Sequence, residues 1–320
     1  MLLTAYSSAP GRIGILGNPS DIYGGKVIAM TIQFRAEVWI NCANNFSVLM
    51  ADGRKADKSL SNLIEASLKR LIREGWIKEE VPIEVLVKTS IPREAGMGGS
   101  TAIIVAFLDA CRKMFRLEYD NYRLAEIAQK VEHKDLGIVA GYNDRYAISL
   151  GGLIFMDFTG KNVDREVWEG EPYAKIRTIQ TSDIPLVCGY WGVKRRSGDV
   201  HAQIRRRYLQ GDSEISEAIK HLIKSTEEGE EAIIQSDWKA LAELMNENYE
   251  IARKVGWTYL IDEKLRNIGL KGGAIAAKLG GAGNGGVMVF LAPKNKKKLM
   301  KTLKDAGAKV FIPKISEGVH

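Results

Sequence analysis

The chain has 320 residues, 45% hydrophobic and 27% charged, with a formal net charge of +7. That length fits one large domain or two modest ones, and the composition is that of a globular protein rather than a disordered or fibrous one. No apolar run approaches the roughly 20 residues a membrane-spanning helix needs, and Cys42, Cys111 and Cys188 are too few and too scattered for a disulfide framework or a zinc site.

The opening "MLLTAYSSAPGR" lacks the basic start and apolar core of a signal peptide, so a cytoplasmic location is expected. Residues 2–50 read as strands and turns, with "KVIAMTIQF" (26–34) and "AEVWINCANNFSVLM" (36–50) rich in residues that fit a pleated surface. A helix is predicted over 60–74, where Leu60, Leu63, Ile64, Leu68, Leu71 and Ile72 share a face, with Ser59 as cap and Gly75 as stop. "IEVLVKT" (83–89) reads as a strand. Helices are predicted over Ser100–Met114 and Asn121–His133, and "AISLGGLIFMDF" (147–158) reads as a strand pair turning at Gly151 and Gly152. The span 160–182 is polar and weakly patterned, so a domain boundary is placed near 180, giving units 1–180 and 181–320. Beyond it come a strand (184–191), three helices between 200 and 268, a glycine-rich segment, a helix (295–306) and a strand (308–313). Without regular βαβ alternation, this order implies an α+β fold.

Two glycine loops carry the chemistry. In "PREAGMGGSTA", Gly96, Gly98 and Gly99 remove side chains so that backbone N–H groups can approach a ligand. Ser100 or Thr101 then caps a helix whose N-terminus carries open donors and partial positive charge. Strand, loop and helix N-terminus make a phosphate cradle. It is not a Walker A loop, because no lysine precedes Ser100. The second loop, Gly281–Gly286, satisfies G-x-G-x-x-G but leads into a strand where a dinucleotide site requires a helix. A tight hairpin is its simplest reading.

A third stretch, "APGRIGILGNPSDIYGGK" (9–26), resembles the first motif of the GHMP kinases. "PREAGMGGSTA" is similar to their phosphate loop, and "KLGGAGNGGVMVF" to their third motif, all in the family's order. "GNPSDIYGGK", "AGYNDRYAISLGGLIFMDF" and "SGDVHAQIRRRYLQGD" resemble the glucuronokinase, or sugar-1-kinase, branch. The resemblance implies a two-domain GHMP kinase fold, its N-terminal domain like the second domain of ribosomal protein S5 and its C-terminal domain ferredoxin-like. It implies ATP and Mg2+ as cofactors and a small-molecule sugar as acceptor. Asp144 falls where the family keeps an aspartate facing the acceptor hydroxyl, as base or as orienting group. Arg12 matches a basic residue near it. Ala95, Gly96, Gly98, Gly99, Ser100, Thr101 and Gly283 are the implied ATP-binding residues, and Ser100 and Glu132 the implied magnesium ligands. Asn18 and Asp21 match sugar-binding positions. If the acceptor carries a carboxylate, Arg205 or Arg207 is the expected partner.

The resulting expectation is phosphorylation of a sugar, with the anomeric hydroxyl of glucuronate as the specific acceptor. A different acceptor (galactose-, heptose- or mevalonate-type) or a non-catalytic sensor on the same fold are the alternatives. The basic clusters Arg205–Arg207 and Lys296–Lys298 lack interleaved aromatics, so neither nucleic acid nor membrane is an expected partner. A monomer or homodimer is expected. Residues 192–212 have the glycine and charge content of a mobile lid.

Overall fold

The computed structural model describes residues 4–79, 81–139, 141–161, 163, 173–181, 183–192, 198–281 and 283–320. Strands β1 (Thr4–Leu16) and β2 (Lys26–Cys42) pair antiparallel, with register shifts at Pro10/Gly11 and Gly14/Leu16. β1 is buried continuously from Ser7 to Leu16, so its first motif is presented to the interior on both faces. β3 (Ser47–Met50), β4 (Ile83–Thr89), β5 (Leu153–Asp157) and β6 (Lys175–Thr178) complete a six-stranded sheet in the order β3-β4-β2-β5-β6, with β1 beside β2. β6 lies in the span that the sequence left without a pattern.

Helix α1 (Lys58–Arg73) is capped by Asp57, whose carboxylate accepts the Leu60 N–H at 2.9 Å, and not by Ser59. An ionised cap also faces the positive end of the helix dipole, which a serine does not exploit as well. Helix α2 (Gly99–Phe115) lies on β1 and β2. Helix α3 (Asn121–Lys130) continues into a π-helical turn, Val131–Asp135, that carries Glu132.

The strand pair expected over 147–158 is half wrong. Asn143–Leu150 forms helix α4, and only Leu153–Asp157 is a strand. A helix of eight residues is marginal alone. Here the Asp21 carboxylate, distant in sequence, accepts the N–H groups of Tyr142 and Asn143 at 2.8 and 2.9 Å and so ties down the helix start.

The second half begins with β7 (Leu186–Tyr190). Four helices follow where three were expected: α5 (Gly198–Leu209), α6 (Ser213–Ile234), α7 (Trp238–Lys254) and α8 (Leu260–Lys271). Asp212 and Asp237 cap the second and third of them, which is why the helical pattern breaks there. Most of the stretch read as a lid is therefore helix, and residues 193–197 lie outside the described residues. β8 (Ala276–Leu279), β9 (Met288–Leu291), α9 (Lys296–Asp305) and β10 (Lys309–Phe311) close an antiparallel sheet ordered β10-β7-β9-β8. The second glycine loop is the β8–β9 hairpin connection, but it is longer than the expected tight turn, since β8 ends at Leu279 and β9 begins at Met288.

One apolar cluster joins the halves, from Ile13 and Leu16 through Phe107 to Leu186, Val289 and Leu291. α6 and α7 pack on β1, and the chain end returns to the first sheet through paired Ser8–His320 bonds of 2.9 and 3.1 Å. Cys111 and Cys188 are buried, which raises their thiol pKa values, whereas Cys42 is exposed. Among the described residues no helix is long and apolar enough to cross a membrane.

Candidate active site

The sheets and helices meet around a cavity of about 830 Å³. β1 delivers Arg12, the turn after it Asn18 and Asp21, the α2 start Gly96–Thr101, α4 Asp144 and Arg145, and β8 Lys278. These residues are far apart in sequence and all line the same space.

Gly98 is the α2 cap, with φ 74°, and no side chain caps that helix. The expectation that Ser100 or Thr101 caps it is corrected: both lie inside the first turn, because a left-handed backbone at 98 is open to glycine and leaves the start without a side-chain acceptor. Among the described residues, the N–H groups of Gly98, Gly99, Ser100 and Thr101 have no acceptor. Four open donors at a helix N-terminus on a cavity wall can receive an anion.

The second glycine loop does a different job. Gly280 accepts the Gly14 N–H at 2.8 Å, and Val287 donates to the Ala95 carbonyl at 2.7 Å. A Cβ on Gly281 would stand 2.2 Å from the Gly96 carbonyl oxygen. Asp262 takes the N–H groups of Asn284 and Gly285, both at 2.8 Å. Gly283 does not line the cavity. The loop thus braces the first loop from behind. Gly281→Ala should lower the melting temperature, by about 1–3 kcal/mol of stability for forced overpacking. It should also raise the KM for ATP more than that for the acceptor. A variant with unchanged melting temperature and ATP KM would remove the bracing role.

Arg12 links the parts. Its Nε and Nη2 donate to the two Asp144 carboxylate oxygens at 2.6 and 2.5 Å, and its Nη1 donates to the Gly96 carbonyl at 2.6 Å. The pair is mostly buried, with side chains 9% and 16% exposed. A fork-shaped bidentate pair fixes the direction of the carboxylate as well as its charge.

Glu132 is buried and already engaged. It accepts Arg145 Nε at 2.6 Å and the Thr101 hydroxyl at 3.1 and 3.2 Å. Burial alone would lower the Arg145 pKa, but the Glu132, Asp144 and Asp21 charges more than offset it and hold the guanidinium charged. Ser100 has an exposed side chain, and Thr101 is the hydroxyl that meets Glu132. Among the described residues no three His, Cys, Asp or Glu side chains converge as a metal site.

Asp21 is 1% exposed, and its Oδ2 accepts the Tyr142 N–H, the Asn143 N–H and Asn143 Nδ2 at 2.8–2.9 Å. Its Oδ1 is buried with no partner among the described residues. Arg207 is drawn away to Asp212 and Glu214, at 2.8 and 3.1 Å, and Arg205 lies near Tyr23. Neither arginine lines the cavity.

Sequence reasoning missed Arg145, Tyr249, Trp257 and Lys278. Lys278 is 1% exposed and donates to Asn18 Oδ1 at 2.8 Å and to the Leu279 carbonyl at 2.6 Å. Burial, then the Arg12 charge, push its pKa down to about 7. The signal was a lysine within the otherwise apolar strand "AAKL".

Comparison with known proteins identifies the family and the fold. The family models for the GHMP kinases N-terminal domain and the GHMP kinases C-terminal domain match residues 62–152 and 230–309. A probable glucuronokinase 2 of Arabidopsis thaliana is 32% identical, covering 88% of this chain and 82% of the relative. A mevalonate kinase of Thermococcus onnurineus is 26% identical, covering 97% and 96%. The solved structure of Lactococcus lactis galactokinase complexed with galactose superposes with a TM-score of 0.82 at 18% identity, covering 99% and 95%.

Proposed function

The chain belongs to the GHMP kinases and is an ATP-using kinase of small molecules, and from that premise we propose that its acceptor is glucuronate, phosphorylated at the anomeric hydroxyl to the 1-phosphate. The observation that carries the kinase chemistry to these residues is the Arg12–Asp144 pair facing the same cavity as the open N-terminus of α2. The identity to glucuronokinases supports the acceptor.

The acceptor hydroxyl sits against Asp144, and its oxygen attacks the γ-phosphorus as the bond to the β,γ-bridging oxygen breaks, releasing ADP. The hydroxyl proton passes to Asp144. Asp144 accepts from Arg12 through both carboxylate oxygens, which fixes its direction. It therefore acts first by orienting the hydroxyl, and takes the proton late, as suits a loose phosphoryl transition state. The N–H groups at the α2 start and the Arg12 charge meet the phosphate oxygens. Asp21 Oδ1, a buried acceptor without a partner among the described residues, takes a sugar hydroxyl. Ser100 and Glu132 are the oxygen donors available to magnesium. Because Arg145 already neutralises Glu132, the ion would take most ligands from nucleotide phosphates and water, which is its usual habit. When bound it supplies charge neutralisation on the phosphates.

The test is ADP release with ATP and magnesium across glucuronate, galacturonate, galactose, glucose, arabinose, inositol and mevalonate. Glucuronate should give the highest kcat/KM. A higher value with galactose or mevalonate keeps the kinase and discards the acceptor, and nucleotide binding without any turnover brings the sensor reading forward.

A further inference from the structure

Among the described residues, two arginines that line the cavity are paired with carboxylates, and two buried charged side chains there, Asp21 and Lys278, are held by neutral groups. Arg12 holds Asp144 and Arg145 holds Glu132. Lys278 is held only by a side-chain amide and a main-chain carbonyl, and no carboxylate among the described residues pairs with it. An ammonium this buried is costly unless an opposite charge joins it. Its two protein acceptors leave one of its three donors unassigned. Around the same cavity, Tyr249 Oη and Trp257 Nε1 are buried and have no hydrogen-bond partner among the described residues. Three donors with unused capacity thus line one space.

We infer that Lys278 is the cavity's receptor for an anionic oxygen group of the ligand, completed as an ion pair only when the ligand is bound. Two sources carry that chemistry: a carboxylate on the acceptor, or the phosphoryl group in transit. The first deepens the glucuronate reading and rests on it, while the second requires only the kinase. In the first case the lysine takes the place foreseen for Arg205 or Arg207, which the fold directs elsewhere.

The test compares Lys278→Met with the unaltered enzyme on glucuronate and on glucose, with ATP KM and melting temperature measured in parallel. A loss of at least tenfold in kcat/KM confined to glucuronate assigns the carboxylate. An equal loss of at least tenfold in kcat on both acceptors assigns the phosphoryl group. Less than twofold change on both, in a variant that melts no lower, overturns the inference. If the unaltered enzyme ignores glucuronate and uses another acceptor, the glucuronate reading alone fails, and the variant is judged on that acceptor.

A measurement that needs no variant gives a second check, in case Lys278→Met does not fold. Without nucleotide, glucuronate or inorganic phosphate should raise the melting temperature of the unaltered protein above that in chloride of equal ionic strength, and glucose should not. An equal effect from all four solutes would dismiss the inference.

Discussion

Asp144→Asn should lower kcat by about 10²–10⁴-fold, the range that a positioned proton acceptor contributes, while ATP still binds. Asparagine keeps the shape but turns one oxygen into an N–H donor. That donor would face the Arg12 fork, which already points two N–H groups at the carboxylate with contacts of 2.6 and 2.5 Å. Both the acceptor-orienting lone pair and the alignment of Arg12 are therefore lost together. The α2 start contains none of these atoms, so the ATP KM or nucleotide dissociation constant should shift by less than about threefold, under 1 kcal/mol. Steady-state turnover and equilibrium nucleotide binding check the two halves. Near-normal turnover would remove Asp144 from the reaction, and lost nucleotide binding would show a structural role instead.

Arg12→Met should lower kcat by about 10²–10³-fold, comparable to removing one preorganised donor from a transition-state site. Three contacts go at once: the bidentate hold on Asp144, the bond to the Gly96 carbonyl, and the longer 3.4 Å contact with the Gly280 carbonyl. The last two tie Arg12 to both glycine loops. Arg12→Lys keeps the charge but cannot reproduce the fork, so it should recover little of the activity. The double variant with Asp144→Asn should be no worse than about tenfold below the poorer single variant, because the two side chains act as one unit. Multiplying losses in the double variant would mean that they act independently. The melting temperature should fall as well. Breaking a buried ion pair costs about 3–5 kcal/mol, and the 16% exposure of Asp144 places this pair toward the lower end.

Much of this protein was legible in one dimension. Gly96, Gly98 and Gly99 ahead of a helix announced open backbone donors, because only glycine combines left-handed backbone with the absence of a side chain. The apolar spacing of 60–74 predicted α1 within two residues at its start and one at its end. The segment "GGAGNGG" between two apolar strands predicted a hairpin. In each case the controlling interaction is local: a dihedral preference, a cap, a helical period.

What the sequence could not decide was set by contacts across the chain. Residues 143–150 are helical because Asp21 holds their first N–H groups. The second glycine loop is a brace because Asp262 takes its donors and because Gly281 lies against Gly96. Thr101 meets Glu132 through the π turn that ends α3. Arg207 is drawn to Asp212 and Glu214, whereas Lys278, the first residue of the third motif, lines the cavity from β8. The sequence by itself determined the fold class, through the order of its elements, and the family, through the resemblance of three motifs; the glycine positions followed from local backbone preference. Only the tertiary structure decided which charges cancel and which remain for a ligand, because neutralisation depends on distances in space. These lie between Arg12 and Asp144, 132 positions apart, as between Arg145 and Glu132, 13 apart, and no helical or strand period encodes them.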